Sequence, residues 1–230
     1  MLLFQQPTTD DLAPCSYLPN RQKQFQYFLG TNVSAEEISW LLARGWRKFG
    51  IYYFRPVCPT CRACIPLRVQ VADFKPSKSQ RRILKKNSMI GIRFVPRKYS
   101  ERAFEIYQDH SINRFSEPKK KETFKASFYR PSCPGLQSEY YLNGEMIALG
   151  FLDQGEDGLS SVYFVFDTSY SELGLGTFSI LKEIEYAKKQ GVAYYYLGYY
   201  IEACGSMAYK DRFKPREHYD WFKDQWNLAG

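Results

Sequence analysis

The sequence predicts a mixed α+β fold organised around residues 162–214, and three observations predict it. Val162 to Phe166 is a short β-branched and aromatic run, the composition of a strand. Leu173-Gly174-Leu175-Gly176-Thr177 is a glycine-containing turn. From Phe178 to Gln190, apolar Phe178, Leu181, Ile184 and Ala187 recur every three residues between Lys182, Glu183, Lys188 and Lys189. That spacing makes an amphipathic helix, closed by Gly191 as its C-terminal cap. Tyr194 to Tyr200 is a second strand. Strand, glycine turn, helix and strand together aim backbone N–H groups near Gly174, Leu175 and Gly176, and a helix N-terminus, at one spot. Such a spot binds anions or stabilises a developing oxyanion. A tight turn that only packs a helix on a sheet reads the same way. The turn lacks the lysine of a phosphate loop and the third glycine of a dinucleotide fingerprint.

A chain of 230 residues suffices for one large domain or two small ones. No stretch approaches the ~20 apolar residues that span a bilayer. Met1-Leu-Leu-Phe-Gln-Gln-Pro7 has no basic region followed by an apolar one, so it does not read as a signal peptide, and a cytoplasmic location without membrane contact is expected. Six cysteines in such a chain point to thiols or metal ligands before disulfides. The net charge of +8 favours an acidic or polyanionic partner. Tyrosine, with a stacking face and a polar tip, occurs 19 times.

In chain order, residues 1–14 read as an extended lead-in with Pro7 and Pro14, and Cys15 to Arg21 as a loop. Gln22 to Leu29 fits strand or helix. Ser34-Ala-Glu-Glu37 is a capping box that opens a helix through Ile38, Leu41 and Leu42 to Gly45. Lys48 to Arg55 reads as one buried strand, and Ile65 to Val71 as another. Between them lies Cys58-Pro-Thr-Cys61-Arg-Ala-Cys64. Two-residue spacing between thiolates suits a turn around zinc or an iron–sulfur cluster, with Cys15 as fourth ligand. Reduced cysteines around a proline turn are the alternative.

Lys75, Lys78, Arg81, Arg82, Lys85 and Lys86 carry no acid between them. A helix capped by Ser77 or Ser79 sets Arg81 above Lys85 and Arg82 above Lys86. Like charges at that spacing repel unless an anion compensates, which predicts a phosphate-backbone contact. Gly91 to Val95 is a strand, Ser100 to Arg114 a helix, and Thr123 to Tyr129 a short helix ended by Pro131 and Pro134. Ser138 to Leu142 and Met146 to Leu152 form a hairpin on Asn143-Gly144, a type I′ signal, followed by a strand from Leu159 to Phe166. A composition break at Asn87-Ser88 divides a cysteine-containing N-terminal domain, 1–88, from a C-terminal one, 89–230. Lys210, Arg212 and Lys214, interleaved with Tyr209 and Phe213, suit a single-stranded nucleic-acid end, or else mark core aromatics between exposed cations.

The central unit resembles the acyl-donor core of the GNAT (acyl-CoA N-acyltransferase-like) fold. Cys15-x-Tyr-Leu-Pro, Phe54-Arg-Pro, Cys58-Pro-x-Cys61-Arg-Ala-Cys64 and Phe74-x-Pro-Ser-x-Ser-Gln-Arg-Arg82 resemble the N-terminal part of the arginyl-tRNA–protein transferase family. Val162-Tyr-x-x-Phe166-Asp, Leu175-Gly-Thr-Phe-Ser-Ile-Leu, Tyr196-Leu-Gly-Tyr-Tyr-Ile-Glu202 and Met207-Ala-Tyr-Lys-x-Arg-Phe-Lys-Pro215 resemble its C-terminal part. The resemblance spans nearly the whole chain. It implies a GNAT-like mixed sheet flanked by helices, with a second, degenerate unit of that kind in the N-terminal half. It implies transfer of an amino acid from aminoacyl-tRNA to proteins beginning with Asp or Glu. In the bacterial branch the amino acid is leucine, from Leu-tRNA, and the new terminus passes to a protease adaptor that recognises N-terminal Leu. Some relatives carry an iron–sulfur cluster on a paired Cys-x-x-Cys near the start; here Leu18 stands where the second cysteine would be.

The acceptor α-amine has a pKa of about 7.7–8.0, so neutralising it at pH 7 costs only about 1–1.4 kcal/mol. A strong general base is optional, and orientation with oxyanion stabilisation carries the rate. On this reading Gly174, Leu175 and Gly176 lie beside the donor terminus, and Glu202 or Tyr199 orients the amine. Arg55, Arg62 and Arg68 are candidates to clamp the acidic acceptor side chain bidentately. Arg81, Arg82, Lys85, Lys86, Lys210, Arg212 and Lys214 are expected on tRNA phosphates, and Cys15, Cys58, Cys61 and Cys64 on any zinc or cluster, with no cofactor required. The alternatives are arginyl transfer to the same acceptors, acetyl-CoA-dependent N-acetyl transfer, and a non-catalytic RNA-binding metal protein.

Overall fold

The computed structural model describes residues 1–230. The chain opens with β1 (Leu2–Thr9), β2 (Ala13–Pro14), β3 (Gln22–Lys23), β4 (Phe25–Thr31), α1 (Ala35–Ala43), β5 (Arg47–Phe49) and β6 (Tyr52–Pro56). It continues with β7 (Ile65–Gln70), α2 (Lys78–Lys86), β8 (Gly91–Pro96), α3 (Glu101–Phe115), α4 (Lys121–Phe128), β9 (Gly135–Leu142), β10 (Glu145–Gln154) and β11 (Gly158–Phe166). A 3-10 turn (Thr168–Leu173) leads into α5 (Leu175–Lys189) and β12 (Tyr194–Tyr200). The short α6 (Gly205–Ala208), a second 3-10 turn (Tyr209–Arg212), β13 (Arg216–Asp220) and β14 (Gln225–Ala229) complete it. No helix is long and apolar enough to cross a membrane.

An eight-stranded sheet in the order β14-β13-β7-β12-β11-β10-β9-β8 is the frame. Helices cover both of its faces, which is why β10 reads as the near-continuous apolar run Met-Ile-Ala-Leu-Gly-Phe-Leu rather than alternating. On one face Ile180, Leu181, Ile184 and Ala187 of α5 pack on Leu67, Val69, Leu152, Tyr195 and Leu197. On the other, Ala103, Ile106 and Tyr107 of α3 and Phe124 and Phe128 of α4 pack on Leu149, Phe151 and Val165. This is the mixed sheet flanked by helices that the sequence predicts.

Within the frame only β11 and β12 run parallel, joined by the turn and α5. Their pairing covers Gly158–Tyr194, Leu159–Tyr195 and Ser160–Tyr196 and then stops, although both strands continue. The two strands therefore part toward their carboxyl ends, at the end of the sheet where α5 begins. The smaller sheet, β1-β4-β6-β5, sits over the parting with α1 and its own core of Phe28, Ile38, Leu41, Leu42, Trp46 and Tyr53, reaching Tyr196 of the large sheet.

Most local expectations hold. Ser34 and Glu37 form both bonds of the capping box. Ser77 caps α2 with Gln80 in the same way. Asn143 and Gly144 both take positive φ (52° and 87°), as a type I′ turn requires. Four expectations need correcting. Residues 1–14 are not a plain lead-in, because β1 pairs with β4 as an edge strand, where Pro7 is tolerated. Lys48 to Arg55 is a hairpin rather than one strand. It turns at Gly50, whose φ of +54° goes with an approach to Ala126 that leaves a Cβ only 2.2 Å from a carbonyl oxygen. The hairpin β13–β14 has no counterpart in the sequence reading, since Arg216–Asp220 and Gln225–Ala229 are polar and short. Every pair of the smaller sheet is antiparallel, so a second GNAT-like crossover is not formed there. The large sheet takes β7 from before residue 88 and the rest from after it.

Candidate active site

Two features lie at the carboxyl ends of β11 and β12, one following each strand. The first is the turn into α5. Gly174 adopts the left-handed conformation (φ 66°, ψ 38°) that ends the 3-10 turn and starts the helix. No side chain caps this N-terminus. Thr177 and Phe178 turn their N–H groups back to the Gly174 carbonyl at 3.1 Å, which leaves Leu175 and Gly176 as the free donors of the first turn. A Cβ on Gly176 would meet nothing within 4 Å, so space is open in front of it.

The basic helix borders this turn. Lys86 Nζ donates to the Glu172 carbonyl at 2.6 Å, and the Asn87 side-chain amide donates to the Leu173 carbonyl at 2.9 Å. Ile83 lies 3.1 Å from where a Cβ of Gly174 would stand. Arg81, Arg82, Lys85 and Lys86 are exposed and none is paired with a carboxylate. Gln80 Nε2 donates to the Arg212 carbonyl at 3.2 Å, so exposed Arg212 adjoins the same helix. Exposed Lys214 reaches the Gly230 carbonyl at 3.1 Å. The aromatics of that segment are core: Phe213 is 1% exposed and stacks on Phe74, and Tyr209 packs on the same cluster.

The second feature is an apolar pocket of about 280 Å³ under the small sheet. Phe25, Phe49, Tyr52 and Phe54 form one wall, with ring centroids of Phe25, Tyr52 and Phe49 lying 5.3, 5.4 and 5.8 Å from that of Phe54. Cys15, Tyr17 and Leu18 come from the loop between β2 and β3, Ile201 from just after β12, and Cys58, Cys61 and Cys64 from the cysteine turn. The four cysteines thus share one pocket. No three Cys, His, Asp or Glu side chains are grouped to hold a metal ion, and Cys58 Sγ instead faces the Gln24 carbonyl at 3.8 Å. As arranged, the expected ligand set does not fit zinc or a cluster. Burial, and then the neighbouring Cys58, Cys15 and Cys61, push the Cys64 thiol up to about 12, so it is protonated and unsuited to nucleophilic attack.

The structure places the other predicted residues unevenly. Glu202 is exposed and directly follows Ile201, which lines the pocket. Tyr199 is buried with its hydroxyl donating to the Gly45 carbonyl at 2.9 Å, so the phenol is already committed. Arg62, at the surface, closes the cysteine turn through the Cys58 and Cys61 carbonyls. Arg55 donates to Gln26 at 2.9 Å and lies over Trp46. Arg68 is buried against Glu217 at 2.5 Å and between Tyr194 and Trp226, 3.6 and 4.3 Å from the ring centroids. Lys210 is buried too, its Nζ donating to the Tyr199 carbonyl at 2.9 Å, and so does not present its charge at the surface. Burial, and then Arg47, pull the Lys210 ammonium down to about 7. Arg47 itself, from β5, reaches into the parting of the strands, donating to Ser160 Oγ at 2.6 Å and to the Ser161 carbonyl. Nothing in its sequence neighbourhood marks it out.

Sequence models of the arginine-tRNA-protein transferase N terminus and C terminus match residues 13–82 and 101–220. The chain is 36% identical to an aspartate/glutamate leucyltransferase of Marinobacter nauticus, over 94% of this chain and 92% of that one. It is 34% identical to one of Pseudoalteromonas atlantica, over 94% of each. Among solved structures it is similar to the ribosomal-protein-S18-alanine N-acetyltransferase of Escherichia coli, with a TM-score of 0.35 and 19% identity over 46% of this chain and 64% of that one. On the matches to both halves, and on relatives above 30% identity along almost its full length, the chain belongs to the arginine-tRNA-protein transferase family.

Proposed function

We propose that the protein transfers leucine from Leu-tRNA to the α-amine of proteins beginning with Asp or Glu. The relatives' names support leucine as donor and acidic termini as acceptors. The single observation that carries the choice of donor is the apolar pocket at the parted strands. Phe25, Phe49, Tyr52, Phe54 and Ile201 offer burial to a branched aliphatic side chain and no carboxylate to a guanidinium. An arginyl donor would leave its charge desolvated and unpaired there.

The ester is already activated, so the reaction itself calls for no cofactor. The tRNA end runs along α2, with Arg81, Arg82, Lys85, Lys86, Arg212 and Lys214 on its phosphates. The ester carbonyl then sits in front of the α5 N-terminus, where the Leu175 and Gly176 N–H groups meet the developing oxyanion. The acceptor amine attacks the carbonyl carbon, the tetrahedral intermediate collapses, and the tRNA 3′-terminal ribose hydroxyl leaves with a proton. Glu202, next to Ile201, attracts the incoming ammonium. The product, a protein with N-terminal leucine, goes to an adaptor of a cytoplasmic protease. The test is transfer of labelled leucine or arginine from charged tRNA to peptides beginning with Asp, Glu, Lys or Ala. Leucine on the Asp and Glu peptides alone is the expected result; arginine transfer, or no transfer, contradicts the proposal.

A further inference from the structure

Of the four buried lysine and arginine side chains, three have a carboxylate. Lys48 lies 3.1 Å from Asp153, Arg68 lies 2.5 Å from Glu217, and Arg216 pairs with Asp211. Lys210, the fourth, has none; its only partners are the Tyr199 carbonyl at 2.9 Å and Met207 Sδ at 3.6 Å. Arg47, beside it, also lacks a carboxylate and spends its fork on Ser160 and the Ser161 carbonyl. A buried charge is retained only where something compensates it. Lys210 and the part-buried Arg47 beside it both lack the counter-ion that would hold them charged, and a carboxylate ligand would supply it.

The geometry says where that ligand sits. Gly198 of β12 has φ +84°, and a Cβ built on it would lie 3.5 Å from Arg47 Nη2 and 3.6 Å from Lys210 Nζ. Both basic groups therefore flank Gly198 on the same side, near enough to each other for one carboxylate to reach both. Arg47 and Phe49 alternate to the same face of β5, about 7 Å apart along the strand. Phe49 lines the apolar pocket, as does Ile201, and Lys210 is held at the Tyr199 carbonyl, two residues before Ile201. The two basic groups thus adjoin the pocket at the parting of β11 and β12. The donor carbonyl and the acceptor amine must meet at such a boundary. In an aspartyl or glutamyl terminus the side-chain carboxylate stands only a few bonds from the amine.

We propose that Arg47 and Lys210 form the specificity pocket for the acceptor's side-chain carboxylate, an assignment that rests on the leucyl-transfer reading above. Arg47 supplies a guanidinium charge held in place by Ser160 and the Ser161 carbonyl, and Lys210 a point charge fixed by the Tyr199 carbonyl. Binding pairs both charges with one carboxylate in a site walled from water. An uncharged isostere such as Asn leaves them unpaired, which is how a built polar site rejects a near-identical substrate. Arg68, already neutralised by Glu217 between two rings, brings no uncompensated charge to this role.

The experiment measures kcat/KM for leucyl transfer to peptides differing only in the first residue, Asp or Asn and Glu or Gln, with the unaltered protein, Arg47→Gln and Lys210→Met. Transfer to the Asp peptide by the unaltered protein is the control for the reaction itself; its absence overturns the leucyl-transfer reading, not this assignment. The expected result is a fall of at least tenfold in the Asp:Asn ratio in each variant, with the Asn rate nearly unchanged. Equal losses on Asp and Asn peptides, or an unchanged ratio, overturn the proposal. Thermal melts accompany the assay. Should either variant fail to melt cooperatively, Arg47→Lys and Lys210→Arg, which keep the charge, are read instead. A changed KM for Asp with an unchanged KM for Asn supports the assignment, and parallel changes in both overturn it.

Discussion

The two sides of the site are made differently. The C-terminal side is a crossover unit whose contribution is backbone: a left-handed glycine, an uncapped helix start and two free N–H groups, held in place by the core beneath α5. The N-terminal side is a small antiparallel sheet with a cysteine turn, and its contribution is side chains. Several of these are left half in water: Tyr17 is 41% and Phe49 37% exposed although both line the pocket. The first arrangement suits a charge that appears in every turnover, because fixed dipoles need no reorganisation. The second suits selection, because what it admits depends on side-chain shape and charge. Arg47 belongs to the second side and reaches into the first.

The comparison breaks most sharply at α2. Replacing Arg81, Arg82, Lys85 and Lys86 together with glutamine should lower the affinity for Leu-tRNA by about a thousandfold near physiological salt. The slope of log affinity against log salt should fall by about three to four, read by titration over a salt series. Melting should hardly move, since these side chains are exposed. An unchanged slope would take the tRNA off this helix.

The next largest effect concerns Arg68. Arg68→Ala leaves the part-buried Glu217 carboxylate with only the Gln70 amide and removes the stack on Tyr194 and Trp226, at a cost of about 3 kcal/mol in denaturant unfolding. The Asp:Asn preference of the folded fraction should stay as it was. A variant that kept its stability and lost the preference would place Arg68 in the site instead.

An effect no larger is confined to the crossover unit. Burial pushes the Glu183 carboxyl up to about 7, against hydrogen bonds from Tyr195 and Ser138. With the folded value raised, the folded state holds a proton that the unfolded chain has lost, between about pH 4.5 and 7. The stabilisation is therefore complete below about pH 4.5 and declines as pH rises through 7, by roughly 3 kcal/mol in total. Glu183→Gln should flatten this part of the stability–pH curve. A curve of the same slope in the variant would assign the dependence to another group.

How much could be read from the chain follows the same division. The crossover unit has the period of its structure in its residues, and Phe178, Leu181, Ile184 and Ala187 are indeed the buried stripe. Capping boxes and the Asn143-Gly144 turn are local, and short-range chemistry fixes them. The side-chain half of the site is long-range. Cys15, Phe25, Phe49, Phe54, Cys64 and Ile201 meet only because two sheets are packed together, and no spacing records that. Charge in the sequence also misled where burial decided the role: Lys210 looked like one more surface cation beside Arg212 and Lys214, and Arg68 like a free guanidinium. Arg47 gave no signal, because the parting of β11 and β12 that gives it a place cannot be seen in either strand.

On the leucyl-transfer reading, the aromatic pocket receives the donor's side chain and the free N–H groups of α5 its carbonyl. The most direct measurement is the donor preference of Phe54→Ala, taken as the ratio of transfer from Leu-tRNA and from Ala-tRNA to one Asp peptide. Removing the ring at the centre of the pocket wall should cut the preference for leucine by about ten- to two-hundredfold, the range expected for apolar contacts of this size. The Asp:Asn acceptor ratio should be retained. An unchanged leucine preference in a variant that still folds and transfers would contradict the account, because the donor side chain would then lie elsewhere.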